Sequence, residues 1–204
     1  MTAAISTATT RLESVNAMLS VVGSLRVNSL AGTLDADTAM ADAILTEVER
    51  EVQNKGWVWN TEEGVEIAQD PSTLKTSTPT NAFRVDPKPG RYDKQIVIRG
   101  SFLYDNKNRT FDIGSTITAD VTYVREWEEM PEPARRYITI RAARIFNDRV
   151  LGAKENHAYT MNDEMAAWAA LQREEMQTGD YSMLGSGLAL EAISRQSPIP
   201  YVRR

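Results

Sequence analysis

The single histidine, His157, lies in KENHAYT, and no G-x-S-x-G occurs anywhere in the chain. A Ser/His/Asp relay needs an imidazole beside an elbow-held serine, so His157 reads as a surface or capping residue. Two adjacent carboxylate pairs, Glu62/Glu63 and Glu128/Glu129, are the next candidates. Glycoside hydrolysis needs two carboxylates about 5–9.5 Å apart across a sugar-sized cleft. Adjacency in sequence does not supply that spacing, and solvated turns commonly hold such pairs. Cysteine is absent, which removes disulfides and thiol catalysis. With one histidine and no cysteine there is no set of thiolate or imidazole metal ligands. No D-x-[DN]-x-[DN]-G loop, P-loop, G-x-G-x-x-G or H-E-x-x-H is present. GSGLAL lacks a preceding strand and a following lysine, and reads as a flexible joint. The expectation is a chain with no catalytic residue, no metal and no cofactor.

Two other groupings stand out. Arg135, Arg136, Arg141, Arg144 and Arg149 fall in one helical stretch against Glu132 and Asp148, while the second helix is acidic. The two faces can pair within the chain or across a subunit boundary. The alternative is a face turned to DNA, although a row of arginines without interleaved aromatics is weak for nucleic-acid binding. The second grouping is Trp57 and Trp59 in GWVWNTEEG, half of the four tryptophans within three residues. After Gly56 the apolar period changes from 3.6 to 2, so both indoles are expected on one face of a strand. Each ring has about 150–250 Å² to bury, and the pair is expected to be structural, joining a helical layer to a sheet.

The elements that must position these groups follow from periodicity. Residues 10–22 read as a helix with Leu12, Val15, Met18, Leu19 and Val22 inward, capped by Thr9 or Thr10 and closed by Gly23. Asp35 or Asp37 opens a second, with Met40, Ile44, Val48 and Val52 on one face and Ala39 and Ala43 beside them. Residues 60–128 read as β structure of five or six strands. Their runs are Val65/Ile67, Phe83/Val85, QIVIRG, SFLYD, TFDIG and TITADVTYV, with DPKPG and DNKNRT as turns. Pro131 and Pro133 fit the first turn of a third helix, whose inward stripe is Ala134, Ile138, Ala142, Ile145 and Val150. A fourth runs from about Glu155 to Met176 on Met161, Met165, Trp168 and Leu171.

The expected fold is therefore α+β: a four-helix bundle with an antiparallel β domain inserted between helices two and three, plus an extended C-terminal arm. The domains are 1–56 with 130–178, 57–129, and 179–204. Gly179, Gly185 and Gly187 weaken any helix in the arm, and Pro198 and Pro200 forbid one at its end. Tyr181, Met183, Leu184, Leu188, Leu190, Ile193, Ile199 and Tyr201 are anchors that a bare linker would lack. Apolar anchors on a flexible strand suit ordering on a partner, with Arg203 and Arg204 meeting an acidic surface. The other reading is an arm packed back on its own bundle.

The whole chain has 204 residues, is 42% hydrophobic and 25% charged, and carries a net charge of −5. That composition is ordinary for a globular protein, and the charge argues against a general polyanion binder. No run of 18 apolar residues is present, so no membrane span is expected. MTAAISTATTRLES lacks the basic start and apolar core of a secretory signal.

Four stretches in order carry a resemblance: GWVWNTEEG at 56–64, RGSFLYDNKNRTF at 99–111, EEMPEPARRYITIRAARIFNDRVLG at 128–152 and DYSMLGSG at 180–187. They resemble the tail tubular protein A family, the head–tail adaptors of short-tailed bacteriophages. The last six residues, IPYVRR, match no pattern of that family. The resemblance implies a structural virion protein without catalysis, assembled in the bacterial host cytoplasm and resident in the virion tail. It implies a ring of twelve subunits under the portal protein, with double-stranded DNA passing through unread, the nozzle protein below and tail fibres at that junction. Two other readings remain: a tail-associated cell-wall hydrolase resting on the acid pairs, and a DNA-binding module using the arginine-rich helix.

Overall fold

The computed structural model describes residues 8–88, 95–152 and 154–179, and the side chains of these apart from 154–160. Its elements in chain order are helices α1 (Arg11–Val21) and α2 (Ala36–Gln53), strands β1 (Thr61–Ile67), β2 (Ala82–Pro87), β3 (Ile96–Arg99), β4 (Phe102–Asp105) and β5 (Ile117–Tyr123), then helices α3 (Glu132–Val150) and α4 (Lys154–Thr178). The class is α+β, as the periodicity requires.

Local chemistry sets the helix ends. Thr10 caps α1 and forms a reciprocal box with Glu13, each side chain satisfying the other's backbone N–H. The hydrogen bonds from Thr10 hold the Glu13 carboxyl below its usual range. Asp35 caps α2 by accepting from the Thr38 N–H, and the Thr38 bonds likewise lower its pKa. Pro131 precedes α3, where a missing N–H costs no helical bond. Gly56 follows α2 with φ at +77°, and a Cβ there would stand 2.8 Å from Arg84 Nη2 and 3.3 Å from Thr122 Oγ1. Conformation and close approach both require glycine at this position.

Helix α3 is the hub, packing against α1, α2 and α4. Its buried apolar residues are Ala134, Tyr137, Ile138, Ala142 and Phe146. Ile145 is only partly buried and Val150 is exposed, so the expected stripe shifts onto Phe146 toward the C-terminal end. In α2 the buried set is Ala41, Ile44, Leu45, Val48 and Val52. Met40, Ala39 and Ala43 are exposed; the apolar stripe runs through Ala41 and Leu45 instead. In α4 it is Ala167 and Leu171 that bury, while Met161 and Met165 face solvent. The methionines suggest a core face, but the buried face of α4 runs through Ala167 and Leu171.

The β block forms two sheets. One is three-stranded in the order β1-β5-β2, the other is the β3-β4 pair, and every pairing is antiparallel. β5 is central, and alternation sends Ile117, Ala119 and Val121 into the core, as its sequence pattern predicts. Ile67, Val85, Ile96, Leu103 and Ile113 complete this second core, separate from the helical one. The stretch TFDIG is not a strand. The Asp112 N–H donates to Thr110 Oγ1 and the Gly114 N–H to Asp112 Oδ1, so local side-chain bonds take the amides a ladder would use.

Trp57 and Trp59 do not lie on a strand either: Val58–Asn60 is a 3-10 turn. Asn60 causes it. Its Oδ1 accepts from the Trp57 N–H at 2.8 Å, and its Nδ2 donates to the carbonyls of Gln53 and Tyr123. Trp57 is buried and donates its Nε1–H to the Val52 carbonyl at 2.7 Å, while Trp59 is only partly buried against the same core.

Candidate functional site

The described residues place no acid, base and nucleophile together. Glu62 lies exposed on β1 and accepts from Arg125 Nη2 at 2.6 Å. Glu63 is exposed, 3.8 Å from Lys88. Glu128 and Glu129 stand exposed in the 3-10 turn Trp127–Glu129 before α3. His157 falls on α4 among the undescribed side chains. No group of three or more His, Asp or Glu among the described residues could hold a metal.

What the molecule does assemble is an ion-pair network on α3. Arg141 Nη2 reaches Glu51 on α2 at 2.8 Å and its Nη1 reaches Glu164 on α4 at 2.9 Å. Arg144 donates to Glu164 through Nε and to Asp148 at 3.3 Å. Arg149 pairs with Glu47 on α2 at 3.1 Å. One helix thus ties its neighbours on either side by guanidinium forks. Burial raises the Glu164 pKa, but the hydrogen bonds and charges of Arg144 and Arg141 outweigh it, and the net pKa is lowered. Burial disfavours the charged form of Arg141 too, yet Glu51, Tyr137 and Glu164 together raise its pKa. On the other side of the helical layer, Arg11 of α1 holds Asp42 and Glu49 of α2, both at 2.8 Å. There burial dominates, and the Glu49 pKa is raised despite its partner.

Arg135 has a different task. It is 6% exposed and donates to three carbonyls: Met130 at 2.8 Å, Glu128 at 2.6 Å and Thr9 at 3.2 Å. Trp127 Nε1 donates to the same Thr9 carbonyl, and the Thr9 N–H and hydroxyl both bind Glu132. This clamp fixes the segment before α1 to the start of α3. Within the single chain this guanidinium is buried and its donors are engaged by backbone carbonyls. Arg141, Arg144 and Arg149 pair with carboxylates of the same chain, and the Arg149–Glu47 pair is exposed. Arg136 is exposed and takes no part in these pairs.

A second buried polar group went unread in the sequence. Gln53 exchanges two hydrogen bonds with the backbone of Arg125, donating at 3.0 Å and accepting at 2.7 Å. With Asn60 it joins the end of α2 to the end of β5. A glutamine at the foot of a helix carries no sequence signal of such a role; only the 72-residue separation closed by the fold reveals it. Tyr181, Met183, Leu184, Leu188, Ile199, Tyr201, Arg203 and Arg204 lie outside the described residues.

The described residues form a helical layer and a β block held by ion pairs and buried amides. A family model described as tail tubular protein matches residues 12–181. The chain belongs to the tail tubular protein family, and is accordingly a structural component of the bacteriophage tail and of the virion. No curated protein is similar enough to match it. No helix among the described residues is long and apolar enough to cross a membrane.

Proposed function

We propose that this chain is the A-type member of its family, the head–tail adaptor. In this reading twelve copies form a ring that joins the portal to the tail nozzle, lines the DNA channel and helps dock the tail fibres. The match over residues 12–181 carries it, together with the four ordered motifs. The α-helical layer braced by Arg141, Arg144 and Arg149 suits a part that must stay rigid while DNA passes. A net charge of −5 suits it too: many cationic contacts to phosphate would hold the duplex, whereas a weakly repulsive wall lets it slide. Arg136, exposed and outside these pairs, is the arginine of the row left for a neighbour or the channel.

The proposal includes a division of labour. Segments 1–56 and 130–178 form the helical body, 57–129 the inserted β domain, and 179–204 an arm gripping the portal or a neighbour. Trp57 and Trp127 pack with the helical core rather than with the sheets, so the β core proper begins after Asn60. Assembly in the host cytoplasm follows from joining the portal before release.

A stop codon early in the coding sequence tests the role. The expected particles are heads that lack the nozzle and fibres. Particles with complete tails that fail only to breach the cell wall would overturn the adaptor reading in favour of a hydrolase.

A further inference from the structure

Among the described residues, two apolar patches are exposed on different flanks of α3. The first follows α4, where Met161 and Met165 are 50% and 62% exposed and Trp168 is partly buried. They edge a groove of about 300 Å³ whose other lining is Tyr137, Arg144 and Glu164. The second is the corner between α1 and α2, where Leu25 is 90% exposed beside the exposed Val21 and Met40. Ser24 Oγ donates to Asp37 at 2.6 Å, which ties this loop to the first turn of α2, about one turn before Met40.

The flanks are opposed. α1 meets α3 through Ser14 and Thr139, and α4 meets it through Glu164 and Arg144. At 3.6 residues per turn, Thr139 and Arg144 lie about 140° apart around the helix. The patches are also level. α1 runs parallel to α3, since Thr9 meets Glu132 and Ser14 meets Thr139. Val21, seven residues beyond Ser14, therefore stands near Phe146, seven beyond Thr139. Met165 follows Glu164, which pairs with Arg144. Val21 and Met165 thus sit within about one turn of the same height on α3.

We propose that the two patches are the halves of one contact between copies of this chain, with the α1–α2 corner of one copy seated in the α3–α4 groove of the next. This rests on the ring reading and adds which surfaces close the ring. Different patches on opposed flanks make a head-to-tail contact, whereas a two-fold dimer would bring one patch against itself. Equal height lets successive copies turn about an axis along α3 without climbing, as a closed ring requires. Exposed Arg26 adjoins Leu25 at the corner. Methionine, tryptophan and arginine are also the residues that interfaces favour.

The chain has no cysteine, so paired substitutions report without background. Leu25→Cys and Met165→Cys in one full-length chain should give, on oxidation, a reducible ladder of covalent oligomers. Either substitution alone should give no ladder. Leu25→Asp should weaken association at least tenfold with an unchanged melting temperature, because that side chain is almost wholly exposed in the single subunit. Rings that form without a ladder overturn this contact and leave the ring reading standing. A protein that forms neither ring nor ladder, alone or mixed with a portal ring, overturns both. A dimer band as strong with Leu25→Cys alone as with the pair would show a two-fold contact and overturn the head-to-tail arrangement.

Discussion

Arg141 and Glu164 meet at 2.9 Å across the α3–α4 seam, and the Glu164 side chain is only 13% exposed. The same carboxylate serves Arg144, so one acid neutralises two guanidiniums from successive turns. Glu164→Ala would leave both without it. Removing one partner of a fully buried pair costs about 3–5 kcal/mol. Some solvent reaches both arginines, so the expected loss is about 2–3 kcal/mol. Denaturant unfolding checks it; a midpoint unchanged from the parent would show the network to be ornamental.

The same acid sets a pH dependence. Its folded pKa is depressed below the ordinary 4.5. Its contribution is therefore present above pH 4.5 and is lost as pH falls through the folded value. Glu49 acts in the opposite sense, because its pKa is raised: its contribution is complete below 4.5 and fades as pH rises through the folded value. Glu164→Gln should therefore flatten the loss of melting temperature below pH 4.5, and Glu49→Gln should not. Equal acid limbs in parent and Glu164→Gln would contradict this.

The two neighbouring tryptophans should part company. Trp57 is buried, hydrogen-bonded to Val52 and set edge-on to Trp168 at 5.5 Å between centroids. Trp57→Ala should cost about 3–5 kcal/mol. Trp59 is only partly buried, and Trp59→Ala should cost clearly less. Thermal or denaturant unfolding of both single variants decides it, and equal losses would return the pair to a shared strand face.

Gln53→Leu keeps the size of the side chain but leaves the N–H and carbonyl of Arg125 without it. The expected cost is about 1–3 kcal/mol for each group left unsatisfied. Hydrogen exchange gives the more specific reading: the amide of Arg125 should lose protection while the centre of α3 keeps it. Unchanged protection at Arg125 would mean that the bridge contributes nothing there.

The parts legible in the sequence are those set by local rules. Thr10, Asp35, Pro131 and Gly56 announce helix ends because capping and handedness are properties of a few adjacent atoms. β5 is legible because alternation over seven residues has one simple reading. What failed was decided at a distance. Trp57 and Trp59 alternate like a strand, but Asn60 is claimed by Gln53 and Tyr123 and turns the chain. Met161 and Met165 have the right spacing for a core face, yet α4 meets α3 through Glu164, paired with Arg141 and Arg144, and buries Ala167 and Leu171. The arginine row was visible as charge; that Arg135 would be buried by three carbonyls was not, since those carbonyls come from segments around residues 9 and 130.

Electron micrographs of the full-length protein mixed with a portal ring test the adaptor role most directly. The expected result is a closed ring of this chain, twelve-fold as the family resemblance implies, seated coaxially on the portal. Portal rings that stay bare beside dispersed single subunits, at concentrations well above those of assembly in the cell, would contradict it.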